Sequence, residues 1–448
     1  MRTANDTIFA LSSGHGRAGV AVIRVSGPAA GLALDRMAGA RPKPRVASFR
    51  KVRHPAMGEV LDEALVLWFP GPKSETGEDM AELHVHGGRA VIAGVLAALG
   101  SIEGCRLAEP GEFARRAFEN GKVDLTAAEA IADLVDAETD AQRRQALRQA
   151  GGALARLYDG WRAELIRAQA LTESAIDFSD EADVGEKASE EARDLVARLV
   201  PSIRQHLDDG RRGEILREGF RVAIAGPPNA GKSSLLNAFA RREAAIVSEE
   251  AGTTRDIIEV TMDLGGVPVI LSDTAGIREA EGKVEREGIR RALARARDAD
   301  LVLWLMDATD PQPDPPPDLA AGAGEMLRVL NKMDLREGNS AHPMLRQGWL
   351  GLSVKTGEGL QALARAIEGK AAAGVGASEA PAITQARHRQ QIEACLEALE
   401  AYLCGAPADL ELRAEDLRRA ATALGRITGR VDVEDVLSEI FSRFCIGK

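Results

Sequence analysis

Short apolar runs alternate with glycine and proline over residues 1–118, and this pattern predicts β-strands. The runs are TIFAL, GVAVIRVSG, EALVLWFP and AELHVHGG. Each carries β-branched or alternating apolar residues between turn-forming positions, which is typical of half-buried strands. A short helix is predicted from Ala90 to Leu99. We therefore expect a β-rich N-terminal domain, assigned to residues 1–119.

From about residue 120 the apolar positions follow helical spacing instead. Leu125, Ala128, Ile131, Leu134 and Val135 recur with the period of one helix face. Charged, alanine-rich sequence continues to residue 217, and helical periodicity returns over residues 376–448. The pattern predicts one helical domain in two parts, 120–217 and 376–448, although separate helical domains would fit the same sequence.

Between these parts, residues 218–375 alternate apolar runs with helix-like segments. The runs predicted as buried strands are RVAIAG (221–226), PVILSD (268–273), LVLWLMD (301–307), MLRVL (326–330) and WLGLSV (349–354). Such alternation is typical of a mainly parallel sheet with crossover helices. The expected fold class is therefore multidomain, α+β and α/β, with an α/β domain inserted in a discontinuous helical domain.

The first of these strands leads into a phosphate-binding motif of the form G-x-x-x-x-G-K-[ST], followed by the helical run SLLNAFA. Glycines let backbone N–H groups close around phosphate oxygens, and the helix N-terminus adds partial positive charge. Lys232 is expected to reach the β- and γ-phosphates and Ser233 to bind Mg²⁺. The GTP-binding residues expected here are Asn229, Ala230, Gly231, Lys232, Ser233 and Ser234.

Three further motifs follow in order, each at the end of a predicted strand. Asp273-Thr274-Ala275-Gly276 places a carboxylate near Mg²⁺ and a glycine near the γ-phosphate. Asn331-Lys332-Met333-Asp334 offers an aspartate that can accept hydrogen bonds from the guanine N1–H and amino group. Ser353-Val354-Lys355 offers backbone contacts to the guanine carbonyl. Because four motifs occur in this order, we predict a GTP-binding domain.

Two residues depart from the small-GTPase pattern. Ile277 follows the Asp-Thr-Ala-Gly motif where Ras-like proteins have glutamine, and its side chain cannot orient a water molecule. Asn229 lies inside the phosphate loop, and its amide oxygen is expected to help hold a monovalent cation that replaces an arginine finger. The alternative is a loop residue that bonds its own backbone.

Composition and charge limit the class of protein. Hydrophobic residues make up 45% and charged residues 28%, which is ordinary for a globular chain. The formal charge of −11 excludes a general nucleic-acid coating protein. The four cysteines form no C-x-x-C pair, and no long apolar run or targeting segment is present, so a cytoplasmic protein without a membrane span is expected.

The whole chain resembles the MnmE (TrmE) family of tRNA modification GTPases, within the TRAFAC class. The matching stretches are AGVAVIRVSGPA, LWFPGPKSETGEDMAELHVHGG, EPGEFARRAFENGKVDLTAAEAIADL, GPPNAGKSSLLNAFARREAAIVSEEAGTTRD and the final FCIGK. The resemblance implies an N-terminal folate-binding and dimerisation domain, a discontinuous helical domain and an inserted P-loop GTPase domain at 218–375.

The resemblance also implies residue roles. It makes Glu285 the catalytic acid that orients the attacking water, and Thr254 the second Mg²⁺ ligand after Ser233. It assigns K⁺ binding to Asn229, Ser248, Glu250 and Thr253, with Ser248, Thr253 and Thr254 also part of the GTP site. It assigns 5-formyltetrahydrofolate binding to Arg24, Glu82, Lys122 and Lys448, for each of which a surface ion pair is the alternative.

The activity implied by the resemblance is potassium-activated GTP hydrolysis in tRNA modification. With the flavin-dependent partner MnmG (GidA), which carries FAD, the homodimer would form a heterotetramer or larger complex. It would add a (carboxymethyl)aminomethyl group to C5 of the wobble uridine, with methylenetetrahydrofolate or a related folate as one-carbon donor. The alternative is a ribosome-assembly GTPase that acts as a binding switch.

Four smaller features leave alternatives open. Cys445 could be a nucleophilic thiol or a cysteine that positions the tail. The stretch RPKPRVASFRKVR (41–53) has six basic and no acidic residues, and it is either the tRNA contact or a solvated run. The glycines at 14, 16 and 19 spell G-x-G-x-x-G but precede a strand, so we expect a hairpin turn. His84 and His86 alternate on a strand, where sheet packing is favoured over metal binding.

Overall fold

The structure is a computed structural model of the chain. It describes residues 6–14, 16–177, 182–242, 245–246, 259–273, 297–310, 315, 319, 325–336, 342–376, 380–406, 409–431, 437, 440–442 and 444–447. The chain divides into two compact units. The first unit comprises residues 1–132, 149–163 and 421–448, and the second comprises 133–148 and 164–420. The four domain limits given above stay a prediction.

A six-stranded sheet forms the centre of the first unit. Its strands are β1 (Thr7–Leu11), β2 (Ala18–Ser26), β3 (Ser48–Arg53), β4 (Val60–Phe69), β5 (Met80–Gly87) and β6 (Cys105–Leu107). Their order is β3-β4-β5-β2-β1-β6, and β3 is therefore an edge strand. Neighbours are antiparallel except β1 and β6. Because β1 and β2 pair directly, the prediction of a hairpin turn at Gly14–Gly19 is confirmed.

Helices α1 (Ala30–Ala38) and α2 (Arg89–Gly100) contribute to the apolar core of this sheet. The predicted helix at 90–99 is α2, but α1 and α3 (Glu112–Glu119) were not predicted in a segment that we interpreted as β-rich. Ala30, Ala33, Leu34 and Met37 of α1 are all buried. Their spacing is helical, but the run is too short to outweigh the surrounding strand pattern.

Residues 444–447 lie against the N-terminal sheet of the first unit. Ile446 forms an antiparallel bridge with Pro110, and the hydroxyl of Ser12 donates to the carbonyl oxygen of Gly447 at 2.8 Å. Gly447 has a φ of +100°, and a Cβ there would overlap the backbone of Leu11. A glycine is therefore required for this approach, because other residues disfavour positive φ.

The second unit contains a seven-stranded sheet. Its strands are β7 (Phe220–Ala225), β8 (Ala245–Ile246), β9 (Glu259–Leu264), β10 (Val267–Asp273), β11 (Leu301–Asp307), β12 (Met326–Asn331) and β13 (Leu350–Gly351). The order is β13-β12-β11-β7-β10-β9-β8, parallel from β13 to β10, with β9 and β8 antiparallel. The predicted mainly parallel sheet is confirmed, while β8 and β9 were not predicted.

The last predicted strand, 349–354, is wrong in length because only Leu350–Gly351 pairs as a strand. The helical regions are confirmed. The first region contains α4 (Leu125–Val135), α5 (Asp140–Ala150), α6 (Ala153–Asp177), α7 (Ala182–Leu207) and α8 (Arg212–Glu218). In the segment between the two regions, α9 (Lys232–Ala240) follows β7 and α10 (Leu360–Val375) follows β13. The second region contains α11 (Ala386–Cys404) and α12 (Leu410–Thr428).

A cluster of ion pairs joins α3 to the sheet of the first unit. Glu112 is largely buried, and its carboxylate accepts from Nη1 of Arg106 at 2.8 Å and from Nη2 of Arg116 at 3.2 Å. Both arginines also bind Asp6. Burial alone would raise the pKa of Glu112, whereas the hydrogen bonds and charge of Arg106 hold it below the ordinary value of 4.5.

Glu112→Gln should therefore destabilise the protein by about 2 kcal/mol at pH 7, because the partly buried Arg106 and Arg116 lose a charged partner, while solvent screens part of the loss at Arg106. Glu119→Gln is the matched control on the same helix, since Glu119 forms an exposed pair with Arg115 worth less than about 1 kcal/mol. The measurement is urea unfolding of both variants.

The acid dependence follows from the depressed native pKa of Glu112. Its contribution is present above pH 4.5 and is lost as the pH falls through the lower native value. The stability difference between the native protein and Glu112→Gln should therefore shrink below pH 4.5. A difference in the free energy of unfolding that grows on acidification would contradict the assignment of Glu112 as the ionised partner of the two arginines.

Candidate functional site

The phosphate loop joins the end of β7 to the start of α9. Gly226 has a φ of +156° and lies so close to the carbonyl oxygen of Leu305 that a Cβ would overlap it. Gly231 has a φ of +99°, and a Cβ there would overlap the side-chain amide of Asn331. Both glycines are therefore required by close approach, and the loop has the form that the motif predicted.

Lys232 and Ser233 occupy the first turn of α9. Nζ of Lys232 donates to the carbonyl oxygens of Gly226 and Pro227, each at 3.0 Å. The ammonium group is therefore held against the loop that is predicted to surround the phosphates. Asn229 is exposed and has a φ of +62°, and Ser234 is exposed on the following turn.

The predicted Mg²⁺ residues meet at the end of β10. The hydroxyl of Ser233 donates to Oδ2 of Asp273 at 2.6 Å, and Asp273 is buried. Hydroxyl and carboxylate oxygens are the hard ligands that Mg²⁺ prefers. These two residues therefore fit the ion that the motifs predict.

One buried amide connects the loops that are predicted to bind the phosphates and the base. Nδ2 of Asn331 donates to the carbonyl oxygen of Ala230 at 2.9 Å. Oδ1 of the same residue accepts from the backbone N–H of Val354 at 3.1 Å. The hydroxyl of Ser353 donates to Oδ1 of Asp334 at 2.5 Å, and Lys355 is exposed in the same turn.

Asp307 is a residue of this site that the sequence analysis missed. It ends β11, and its carboxylate accepts from Nζ of Lys332 at 2.7 Å. Burial raises the pKa of Asp307, but the hydrogen bond and charge of Lys332 outweigh burial and hold the pKa below its ordinary value. Its position could have been found from the rule that polar residues at the carboxyl ends of parallel strands line the ligand site.

Several predicted residues lie outside the described part of the chain, and their roles stay predictions. They are Ser248, Glu250, Thr253, Thr254, Thr274, Ala275, Gly276, Glu285 and Lys448.

The predicted folate residues of the first unit lie around the loop 70–79. Arg24 on β2 faces Glu82 on β5 across the sheet, and Nη2 of Arg24 lies 3.3 Å from Oε1 of Glu82. Nη1 of Arg24 lies 2.9 Å from Oε2 of Glu75 in the loop. Lys122 donates to the carbonyl oxygen of Pro72 in the same loop at 3.0 Å.

The surroundings of Arg24 add detail that the sequence did not supply. Its guanidinium lies 5.7 Å from the ring centroid of Phe113, and Nε is buried without a hydrogen-bond partner among the described residues. Arg24 and Glu82 do form the ion pair that was the alternative interpretation. The buried, unused donor is compatible with a further ligand, because buried donors are normally satisfied.

Cys445 is exposed, and its carbonyl oxygen accepts from the N–H of Gly111 at 3.4 Å. Nε2 of His84 lies 3.1 Å from Glu82, while Nδ1 of His86 lies 2.8 Å from Asp62. The expectation of sheet packing is wrong for His86, which is exposed and pairs with a carboxylate instead. In the part of the chain that the structure covers, no group of three metal-binding side chains occurs.

No helix in the described ranges has both the length and the apolar character needed to span a bilayer.

Two family descriptions match the chain: "GTP-binding protein TrmE N-terminus" over residues 7–122 and "MnmE helical domain" over residues 125–445. A protein of Parvibaculum lavamentivorans, called tRNA modification GTPase MnmE, is 54% identical over 99% of this chain and 100% of its own length. This chain belongs to the MnmE family. The MnmE relative of Rhodospirillum rubrum is also 54% identical, over 99% of both chains.

Among solved structures, Era from Aquifex aeolicus bound to GDP and aluminium fluoride is similar at 24% identity. The similarity covers 40% of this chain and 66% of that chain, with a TM-score of 0.27. Membership of the MnmE family confirms the predicted resemblance, the mixed fold class and the prediction of a GTPase.

The base-recognition motif predicts a change of nucleotide preference. Asp334→Asn should shift preference from guanine toward xanthine nucleotides, because it replaces an acceptor by a donor facing the base N1 position. The amide oxygen of asparagine can still accept from Ser353, so the loop should persist. Binding of GTP and XTP by calorimetry checks this, with Asp310→Asn as an exposed control. Unchanged selectivity in Asp334→Asn would remove the assignment.

Proposed function

We propose that this protein hydrolyses GTP and, with a flavin-dependent partner of the MnmG (GidA) type, modifies C5 of the wobble uridine at position 34 of certain tRNAs. The product carries a (carboxymethyl)aminomethyl group, a tetrahydrofolate derivative donates the one-carbon unit, and the partner carries FAD. The observation that carries this proposal is the GTP-site geometry around Asn331, in a chain whose full-length relatives are tRNA modification GTPases.

The chain would act in the cytoplasm as a homodimer through its first unit, in a heterotetramer or larger complex with the partner. Exposed apolar side chains on that unit, Val20, Leu107 and Ile446, are compatible with a covering protein.

In this proposal, residues of α9 and β10 bind Mg²⁺ and the phosphates. Ser233 and Asp273 would hold Mg²⁺, with Thr254 as a further ligand, and the ion would neutralise charge on the β- and γ-phosphates. Lys232 would turn from the loop carbonyls to the phosphates. Glu285 would orient the attacking water, which Ile277 cannot do.

A monovalent cation at Asn229 would supply the remaining positive charge. The positive φ of Asn229 places it in a tight turn of the phosphate loop, beside the predicted phosphates. Ser248, Glu250 and Thr253 would complete the K⁺ site. An arginine finger in other GTPases raises kcat by a factor of about 10³–10⁵. A cation in this position would stabilise the same negative charge that develops on the phosphates in the transition state.

The folate site would combine one acid with several cations. Glu82 would accept from pterin N–H groups, while Arg24, Lys122 and Lys448 would bind the glutamate tail. Arg24 has a donor, Nε, that protein groups of the described chain leave unused, so a folate acceptor could occupy it.

GTP hydrolysis should be at least about tenfold faster in K⁺ than in Na⁺, since the cation must replace an arginine finger. Asn229→Ala should remove this difference and leave GTP binding within about twofold. Steady-state phosphate release in the two chloride salts is the measurement, with Gln347→Ala, an exposed amide of the second unit outside the candidate site, as the control. Equal rates for the native protein in both salts would reject the cation site.

Arg24→Ala should abolish binding of 5-formyltetrahydrofolate in calorimetry and stop wobble-uridine modification. GTP hydrolysis should be nearly unchanged, because Arg24 belongs to the first unit and the GTP site to the second. Arg115→Ala, at a partly exposed arginine of the same unit that pairs with Glu119, is the matched control. Mass spectrometry of tRNA nucleosides from a complemented deletion strain gives the modification readout, and retained folate binding in Arg24→Ala would contradict the site.

A further inference from the structure

We propose that one edge of the N-terminal sheet binds the anticodon loop of tRNA and leads it to the candidate folate residues. We call this surface the basic edge and define it as residues 41–53 together with Lys73. The proposal rests on the proposed function, because it takes tRNA as the substrate.

The first argument is charge. The segment 41–53 has six basic residues and no acidic one, in a chain with a net charge of −11. Its last part is β3, an edge strand on which Arg50, Lys51 and Arg53 are all exposed. The side chains of Lys43 and Arg50 form no hydrogen bond or ion pair with the described residues, whereas Arg41 pairs with Asp35 and Lys51 with Glu63. Local, unpaired positive charge is what phosphate binding requires.

The second argument is an aromatic side chain among these cations. Phe49 on β3 is 65% exposed and lies opposite Leu65 of β4, which is 44% exposed. A sheet that presents an aromatic ring beside basic residues can stack an unpaired base and bind its backbone. The wobble nucleotide lies in a single-stranded loop, so its neighbours are the kind of base that such a ring can stack.

The third argument is the connection to the folate residues. Arg45 donates to the carbonyl oxygen of Lys73, Lys122 donates to that of Pro72, and Arg24 pairs with Glu75. Residues 72 and 75 are three residues apart in the chain, so their Cα atoms are separated by at most about 11 Å. A loop of RNA on the basic edge would therefore lie beside the predicted one-carbon site.

A second copy of this chain is the competing occupant, because Phe49 and Leu65 are apolar. In a symmetric dimer centred on this patch, the same surface meets itself. The six basic residues of one copy would then face the same six of the other, and like-charge juxtaposition across an interface is strongly unfavourable. Charge complementarity therefore favours RNA.

The test uses the full-length protein and a fluorescent anticodon stem-loop RNA, with anisotropy measured over a range of KCl concentrations. The double variant Lys43→Ala/Arg50→Ala should lower affinity about tenfold at low salt and reduce the salt slope by one to two, at about 0.7–0.9 per phosphate contact. Phe49→Ala should lower affinity about tenfold with an unchanged slope, since it removes stacking alone.

Matched controls come from α12, where basic and apolar side chains are also exposed. Arg418→Ala/Arg419→Ala removes two exposed positive charges, and Leu412→Ala removes an exposed apolar side chain. Both should keep RNA affinity within about twofold of the native protein. GTP hydrolysis should be unchanged in the basic-edge variants, because the GTP site belongs to the second unit. An unchanged urea-unfolding transition shows that each variant keeps its fold.

Equal RNA affinity in the basic-edge and control variants would overturn the proposal. The proposal would also be overturned if the basic-edge variants changed their oligomeric state in sedimentation while RNA affinity stayed the same, because the basic edge would then be a protein interface. Different results would contradict the proposed function itself. These are a deletion strain that keeps its wobble modification and a native protein that binds no tRNA. If modification needs the protein but the basic-edge variants bind RNA normally, only the surface assignment is wrong.

Discussion

The nucleotide site depends on the side chain of Asn331. Its amide donates to the phosphate loop at Ala230 and accepts from the base-binding loop at Val354. The bond to Ala230 is buried and the bond from Val354 is partly buried, and burial makes an unsatisfied polar group costly in free energy. A phosphate loop and a base-recognition loop that are about a hundred residues apart in sequence are thereby fixed in one geometry. Gly231 allows this because any side chain there would occupy the position of the amide.

A comparable constraint organises the first unit, where one buried and one partly buried carboxylate pair with arginines. Glu112 and Asp6 hold Arg106 and Arg116, so that α3 lies against the sheet. The same helix presents Phe113 to the guanidinium of Arg24. An ion-pair cluster that orients α3 therefore also shapes the surroundings of the candidate folate residues. The candidate folate residues are therefore positioned in part by residues outside the predicted set.

The sequence predicted the parallel strands and the order of the GTP motifs, because both are local patterns at strand ends. It did not predict α1, since four buried residues in a short run do not outweigh strand-like flanks. It missed Asp307, although the strand-end rule would have found that position, and it missed Glu75, whose contact with Arg24 appears only when distant segments meet. The pairing of Arg24 with Glu82 could not be predicted either, because the register between strands depends on the topology of the sheet rather than on the spacing of residues in the sequence.

The contact of Ser12 with Gly447 has a consequence for synthesis on the ribosome. These residues are separated by 435 positions, and at about 5–20 residues per second the second arrives about 20 to 90 s after the first. During that interval the N-terminal sheet lacks the segment that lies against the end of β1. The nascent protein therefore exposes a surface that the finished one covers, and a chaperone that recognises this surface would have that interval in which to bind.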